Sequence, residues 1–407
     1  MSAAWQVPVL VRYRLADAEG RPGGYGLRMA APYDVDDTTV LEALDEEYRS
    51  TDLEQVSGWS AGPDVPQRSR WRRAPAQTDG GLFCVQATPA LLAGASDLLG
   101  DISAAVVEVP SWLLGAPEVD QLMAEQADRG VRFALGGFRG TPAQVEALAV
   151  ADTVMVDAQD RRLGDVVAAC GSARVVARAA DSRATERRAL AAGAHLVETV
   201  WVYPDDERTP GDLDAVESQC LALLAALDQQ PADPDQVAEV VSASPELSVA
   251  VLRQVNSSAV ALRHRVDSVR HATVLAGPRR LRTVAVAALS GARQDGTDAL
   301  WAVLARARAV ADLTGRETGY TVGLLSGLAD VRRFPLDWLT TRAGVSPQVS
   351  AALLAQRGTL GTAVAAVAAH EAGDVAEVAS LGLDPWVVSR AWLSAVVQTR
   401  TLLPDLV

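Results

Sequence analysis

Short apolar runs and helical patterns alternate through the first half of this chain. The runs are Val7 to Val11, Leu82 to Val85, Ala104 to Val109, Val131 to Leu135, Thr153 to Val156, Arg174 to Ala177 and His195 to Val200. Between them, apolar residues recur at helical spacing in Val119 to Gln126, Pro142 to Leu148 and Ala184 to Ala192. A short continuous apolar run suits a strand buried on both faces, and strands alternating with covering helices predict a parallel sheet. Over about 200 residues, the pattern predicts a closed (β/α) barrel in preference to an open sheet.

The strand signals stop at Tyr203-Pro204-Asp205-Asp206-Glu207-Arg208-Thr209-Pro210-Gly211, a polar, Pro/Gly-bearing stretch of the kind that separates domains. Beyond it the chain reads as helix. Val237, Val240, Val241, Leu247, Val251, Leu252 and Val255 fall at helical spacing, with Ser244-Pro245-Glu246 ending one helix and starting the next. A third helix is expected from Ser268 to Leu275 with Gly277 as its stop, and Leu281, Val284, Ala285 and Ala288 line one face of a fourth. The fold class is therefore α/β plus all-α: a barrel over residues 1–207, a linker over 208–217 and a helical domain over 218–407.

Length and composition fit that division. A chain of 407 residues, 49% apolar and 22% charged, suits two or three globular domains. No apolar run reaches the roughly 18 residues that span a bilayer, and the first residues lack a basic signal-peptide region, so a cytoplasmic protein is expected. Cys84, Cys170 and Cys220 are widely spaced and read as reduced, buried thiols. A net charge of −14 argues against nucleic acid as the main partner. One stretch opposes that average: Arg263, His264, Arg265, Arg270, His271, Arg279, Arg280 and Arg282 stand against a single acid, Asp267. It is either a solvated helical face or a docking surface for an acidic partner. Another arginine cluster, Arg68, Arg70, Arg72 and Arg73, lies in a loop-like stretch from Ser60 to Gly81.

Two resemblances sharpen the reading. Val237-Ala238-Glu239-Val240-Val241-Ser242-Ala243-Ser244-Pro245-Glu246-Leu247-Ser248, then Leu252-Arg253-Gln254-Val255-Asn256-Ser257 and Ser268 to Gly277, resemble the HDOD domain. Its signature is carried here by Pro245, Leu247, Asn256, Ser257 and Gly277. Asn256, the one asparagine of the chain, is expected to close a helix, a role that suits an amide with both donor and acceptor. In the first half, Val107-Glu108-Val109-Pro110-Ser111, Arg132 to Phe138, Ala151 to Asp157, Val175 to Asp181 and Gly193 to Pro204 resemble, in order, the EAL domain. That family's barrel hydrolyses cyclic di-GMP, and the pairing of an EAL with an HDOD domain is a recognised one.

Metal-assisted phosphodiester hydrolysis needs several carboxylates converging at the C-terminal ends of barrel strands. Aligned on the EAL motifs, this chain places Gly26, Gln86, Ser111, Gly136, Gly137, Met155, Arg178 and Glu198 at the family's site positions. These stand, in turn, for a glutamate, an asparagine, a glutamate, two aspartates, a lysine, a glutamate and a glutamine. Independently of any alignment, the chain contains no lysine and no asparagine before residue 256. Glu108 aligns with a glutamate that is not a ligand in the family, and Asp157 survives alone. In the helical half, Ser326-Gly327 replaces the His-Asp pair by which HD-type phosphohydrolases hold metal, as is general for HDOD domains. Gly136 to Gly140 reads either as an anion-binding nest or as a tight strand-to-helix turn.

The resemblance thus implies no catalytic residue, cofactor or metal. The expected function is that of a non-enzymatic signalling protein with a degenerate EAL barrel and an HDOD docking domain, whose docking face would hold Arg263, Arg265, Arg270, Arg279, Arg280 and Arg282. Its expected partner is an unidentified protein, with a homodimer as a further possibility and neither nucleic acid nor membrane. Cyclic di-GMP is disfavoured, but a metal-independent sensor using Arg28, Arg139 and Arg178 stays open as the alternative.

Overall fold

The computed structural model describes residues 8–30, 37–50, 82–93, 105–115, 117–203, 206–208, 213–229, 232–257, 266, 268–289 and 297–400. They fall into two compact units. One comprises Met1–Asp205 with His370–Ala379, and the other Asp206–Ala369 with Ser380–Val407.

In the first unit the strands β1 (Val9–Ala16), β2 (Pro22–Ala30), β3 (Leu82–Gln86), β4 (Ala105–Val109), β5 (Arg132–Leu135), β6 (Thr153–Asp157), β7 (Arg174–Arg178) and β8 (Leu196–Thr199) close into a barrel in that order. Strands β2 to β8 run parallel, whereas β1 is antiparallel to both β2 and β8. This corrects the all-parallel expectation. The sequence pattern also misses β2, because Pro22, Gly23, Gly24 and Gly26 read as turn. These glycines answer to close approach: a Cβ on Gly24 would lie 1.9 Å from the Leu82 carbonyl oxygen. The β1–β2 turn is held by Asp17, whose carboxylate accepts from the Glu19 and Arg21 amides at 3.0 and 2.9 Å.

Helices α1 (Asp37–Ser50), α2 (Pro89–Ala93), α3 (Pro117–Asp128), α4 (Pro142–Ala147), α5 (Leu163–Ala169) and α6 (Arg183–Ala191) complete the described part of the barrel's chain. Tyr13, Leu15, Leu82, Cys84, Val106, Ala134, Met155, Val176 and Leu196 form one buried cluster drawn from seven strands. Side chains alternate along a strand, so residues two further on share that inward face. For β4, β7 and β8 these are Glu108, Arg178 and Glu198, at the C-terminal end of the barrel.

The second unit is helical. It contains α7 (Ala215–Asp228), α8 (Pro234–Ser242), α9 (Pro245–Ser257), α10 (Val269–Leu289), α11 (Thr297–Thr314), α12 (Glu317–Arg332), α13 (Leu336–Arg342), α14 (Pro347–Ala355) and most of α15 (Gly358–Glu371). After α16 (Val375–Ser380) the chain returns to it with α17 (Pro385–Arg400). Residues 208–217 are already structured at both ends: Arg208 pairs with Asp330 at 2.7 Å, and Asp214 caps α7 by accepting from the Glu217 amide at 2.7 Å. Gly277 breaks α10 with a φ of 71°, dividing it where the sequence expects a stop. Leu281, Val284 and Ala285 are buried as expected, but Ala288 is exposed. On α12, Gly319, Gly323 and Gly327 lie four apart and let it close on α11. A Cβ on Gly323 would stand 2.7 Å from the Arg306 carbonyl oxygen.

Among the described residues no single helix is long and apolar enough to cross a membrane; the bent pair formed by α14 and α15 meets the test of length and composition together. All three cysteines are free and buried.

Candidate functional site at the barrel mouth

Four charged side chains meet at the C-terminal end of the barrel. Arg178 donates through Nη1 to Glu108 Oε1 at 2.6 Å and through Nε to Glu198 Oε2 at 3.0 Å. Arg28, from β2, donates to the other oxygen of Glu198. Both guanidinium groups lie over the ring of Tyr13, at 5.2 Å for Arg28 and 5.1 Å for Arg178. Two cations and two anions thus neutralise one another in a chain running Arg28, Glu198, Arg178, Glu108.

The electrostatics follow the geometry. Burial works against ionised Glu198, but Arg28 and Arg178 outweigh it and hold the carboxyl below its ordinary range. Burial likewise opposes the charge on Arg178; Glu108, Tyr13 and Glu198 overcome it, and its pKa rises above the usual arginine value. Glu108 is 6% exposed, and its Oε2 has no hydrogen-bond partner.

The positions singled out in the sequence take up different roles. Gly26 lies opposite Tyr13 in the β1–β2 ladder, and a Cβ there would stand 2.1 Å from Tyr13 Cζ, so the tyrosine ring fills the place of a side chain at residue 26. A Cβ on Gly136 would meet Glu108 Oε1 at 2.8 Å, so there the carboxylate of β4 fills the space. Gln86 turns onto β2, where its Oε1 accepts from the Met29 amide at 3.2 Å. Ser111 is exposed on the loop after β4. Met155 is buried and belongs to the interior cluster. Asp157 is exposed, and its Oδ1 accepts from the Gln159 amide at 2.8 Å.

Arg28, Gly137, Met155, Val156, Asp157, Arg178, Ala179 and Glu198 line a cavity of about 290 Å³. Ala179 takes a left-handed φ of 57° there. Arg139, the third arginine expected at the mouth, is exposed and absent from this lining.

The turn after β5 is not a free anion nest. The Gly136 amide donates to the Val109 carbonyl and the Phe138 amide to the Met155 carbonyl, both at 2.8 Å. Gln144 Oε1 accepts from the Arg139 amide at 2.8 Å, and Thr141 with Gln144 forms the capping box of α4. The segment is the tight turn of the two sequence readings.

Glycine stands at residues 26, 136 and 137, and the two inward glutamates are turned to arginine. Among the described residues no group of three or more His, Cys, Asp and Glu could hold a metal ion.

The helical unit holds a second cluster of arginine and carboxylate. Beside Ser326-Gly327, Arg306 Nη1 donates to Ser326 Oγ at 3.0 Å and to Asp330 Oδ2 at 2.5 Å. Arg208 binds the other oxygen of Asp330 at 2.7 Å. Burial raises the Asp330 pKa, but Arg306 and Arg208 outweigh it and keep the carboxyl below its usual value.

The arginine face expected between residues 263 and 282 needs correction. Arg282 is 6% exposed and donates to the Leu227 carbonyl at 2.8 Å, so it holds helices together and faces no solvent. Arg279 pairs with Glu317 at 2.6 Å and Arg270 with Asp235, while Arg280 is exposed. The period of α10 sends one arginine in four inward, which a count of charges cannot register. Arg263 and Arg265 lie outside the described residues. Pro245 opens α9 and Leu247 is buried; Asn256 and Ser257 end that helix, but their side chains lie outside what is described.

Residues 213–369 match the HDOD domain family model. This segment is an HDOD domain. The match begins just before α7 and ends within α15, so α16 and α17 lie beyond it. A comparison with curated proteins found no match. Among solved structures, the Klebsiella pneumoniae BlrP1 calcium/cyclic di-GMP complex is similar at 12% identity and a TM-score of 0.34, over 47% of this chain and 54% of that one. The EAL domain of Mycobacterium smegmatis DcpA is similar at 13% identity and a TM-score of 0.34, over 47% of this chain and 90% of that one. An EAL-domain protein from Listeria monocytogenes is similar at 12% identity and a TM-score of 0.33, over 47% and 85%. This chain therefore spans about half the length of BlrP1. A closed eight-strand barrel followed by an HDOD domain fits an EAL–HDOD architecture.

Proposed function

We propose that this chain is a non-enzymatic signal-transduction protein, in which an EAL-type barrel that has lost its chemistry is joined to an HDOD domain that docks other proteins. The observation that carries this reading is the pairing of both inward glutamates with Arg178. Hydrolysis of a phosphodiester needs carboxylates free to hold a cation and to position water; here a fixed guanidinium occupies them, and it can neither coordinate nor activate water. The docking role is supported by Val249, Val274 and Leu275, exposed at 58, 60 and 42% on α9 and α10 near the exposed Arg253 and Arg270.

The cavity beside Arg28 and Arg178 favours a second reading, a metal-independent cyclic di-GMP sensor. The purified full chain is incubated with cyclic di-GMP and magnesium or manganese, and separately titrated with the dinucleotide in chelator. The expected result is intact dinucleotide and no binding heat. Linear product abolished by chelator would overturn the non-enzymatic reading, and saturable binding in chelator would establish the sensor.

A further inference from the structure

The β1–β2 side of the barrel mouth is covered by a segment from far along the chain. Tyr13 and Leu15 belong to the interior cluster, and side chains alternate along a strand, so Val9 and Val11 share their inward face. Because β1 runs antiparallel to β2 and Val9 pairs with Ala30, the two valines stand at the C-terminal end of the barrel. Val375 of α16 joins them in one buried cluster, with Ala30 packed against it. The turn before α16 reaches the same spot. Gly373 has a left-handed φ of 77°, and a Cβ on it would stand 3.1 Å from Arg28 Nη2 and 4.0 Å from Val11 Cγ1. Val11 and Arg28 are themselves partners in the β1–β2 ladder. The turn is well made, since the Gly373 amide donates to the His370 carbonyl and Asp374 Oδ1 accepts from the Glu377 amide, both at 2.9 Å. Residues 370–379 accordingly group with the barrel, although most of α15 before them and all of α17 after them belong to the helical unit.

We propose that residues 370–379 are a strap closed over the β1–β2 side of the barrel mouth, and that the Arg28–Glu198 ion pair is its latch. Val9, Val11 and Ala30 give Val375 an apolar seat. Gly373, having no side chain, lets the turn come down beside the guanidinium of Arg28. An arginine side chain has many rotamers, and the charge-assisted bond to Glu198 selects the one that meets this turn. The coupling is reciprocal: breaking the pair loosens the strap, and lifting the strap frees Arg28. This inference does not rest on the non-enzymatic reading, and the two fail separately, because its test reads amide exchange and neither turnover nor binding of cyclic di-GMP.

Hydrogen exchange of the full chain is followed by mass spectrometry for wild type, Val375→Ala and Glu198→Gln, with β6 as the internal reference for global unfolding. In wild type, residues 370–379 and β1 should both exchange slowly. Val375→Ala should speed both by about tenfold or more while β6 keeps its rate. Glu198→Gln, a change on β8 that reaches the strap through Arg28, should speed residues 370–379 by about threefold or more, again without β6. Where β6 also accelerates, Val375→Thr, which keeps the volume of the seat, and Arg28→Lys, which keeps the charge but not the planar fork, carry the same two comparisons. The proposal is overturned if residues 370–379 exchange freely in wild type, if loss of the Val375 seat speeds them without speeding β1, or if loss of the ion pair leaves them at the wild-type rate.

Discussion

Gly26→Ala tests whether the Tyr13 ring fills the interior of this barrel at residue 26. The new methyl carbon would lie 2.1 Å from Tyr13 Cζ and 2.2 Å from its hydroxyl oxygen, well inside van der Waals contact. Tyr13 is 5% exposed and lies under two guanidinium groups, so its ring cannot swing into solvent without leaving them. Overpacking a core costs about 1–3 kcal/mol, and each cation–π contact disturbed adds roughly 0.5–2 kcal/mol. The sum is about 2–7 kcal/mol, equivalent to roughly 4–28 °C of melting temperature for a unit of this size.

Urea unfolding of the full chain measures the loss, and hydrogen exchange on the β1 and β2 amides assigns it to the barrel. Tyr13→Ala alone leaves a cavity and costs about 3–5 kcal/mol. In the double variant the alanine methyl enters that vacated space, so Tyr13→Ala/Gly26→Ala should be no less stable than Tyr13→Ala. The reasoning is refuted if Gly26→Ala lies within about 0.5 kcal/mol of wild type, or if the two changes simply add.

Two more predictions concern buried charge. His370 is 1% exposed, with Nδ1 unpartnered, and burial pushes its pKa down to about 4. Between its ordinary value near 6.5 and about 4 the unfolded chain takes up a proton that the folded chain refuses, so stability falls with falling pH, by about 3 kcal/mol in all. Denaturant titrations across that window should show His370→Leu losing less stability than wild type, and parallel curves would refute the assignment. Reversing Arg282 to Glu buries an unpaired charge beside the Leu227 carbonyl and should cost about 3–5 kcal/mol, whereas Arg280→Glu should stay within about 0.5 kcal/mol. Equal melting temperatures for the two would contradict the placement of Arg282.

The sequence by itself determined much of this protein. Strands β3 to β8 are legible as apolar runs because burial on both faces leaves a continuous signal over a few residues. The helical half shows its 3.6-residue period, and Gly277 marks the break in α10. The absence of any lysine, and of asparagine before residue 256, is likewise plain from the composition. These are local or compositional facts, and each can be read without knowing what lies across the fold.

Only the tertiary structure decided the rest. Strand β2 is hidden in sequence because its glycines serve neighbours, Leu82 and Tyr13, that are far away or on an antiparallel strand. Arg178 and Glu108 are 70 residues apart, and Arg28 and Glu198 are 170 apart; barrel closure alone turns these four charges toward one another. The arginines of α10 look alike along the chain, yet about half a turn of helix separates buried Arg282 from exposed Arg280. Periodicity fixes which face of an element a side chain occupies, but the charge that meets it there is set by how the elements close.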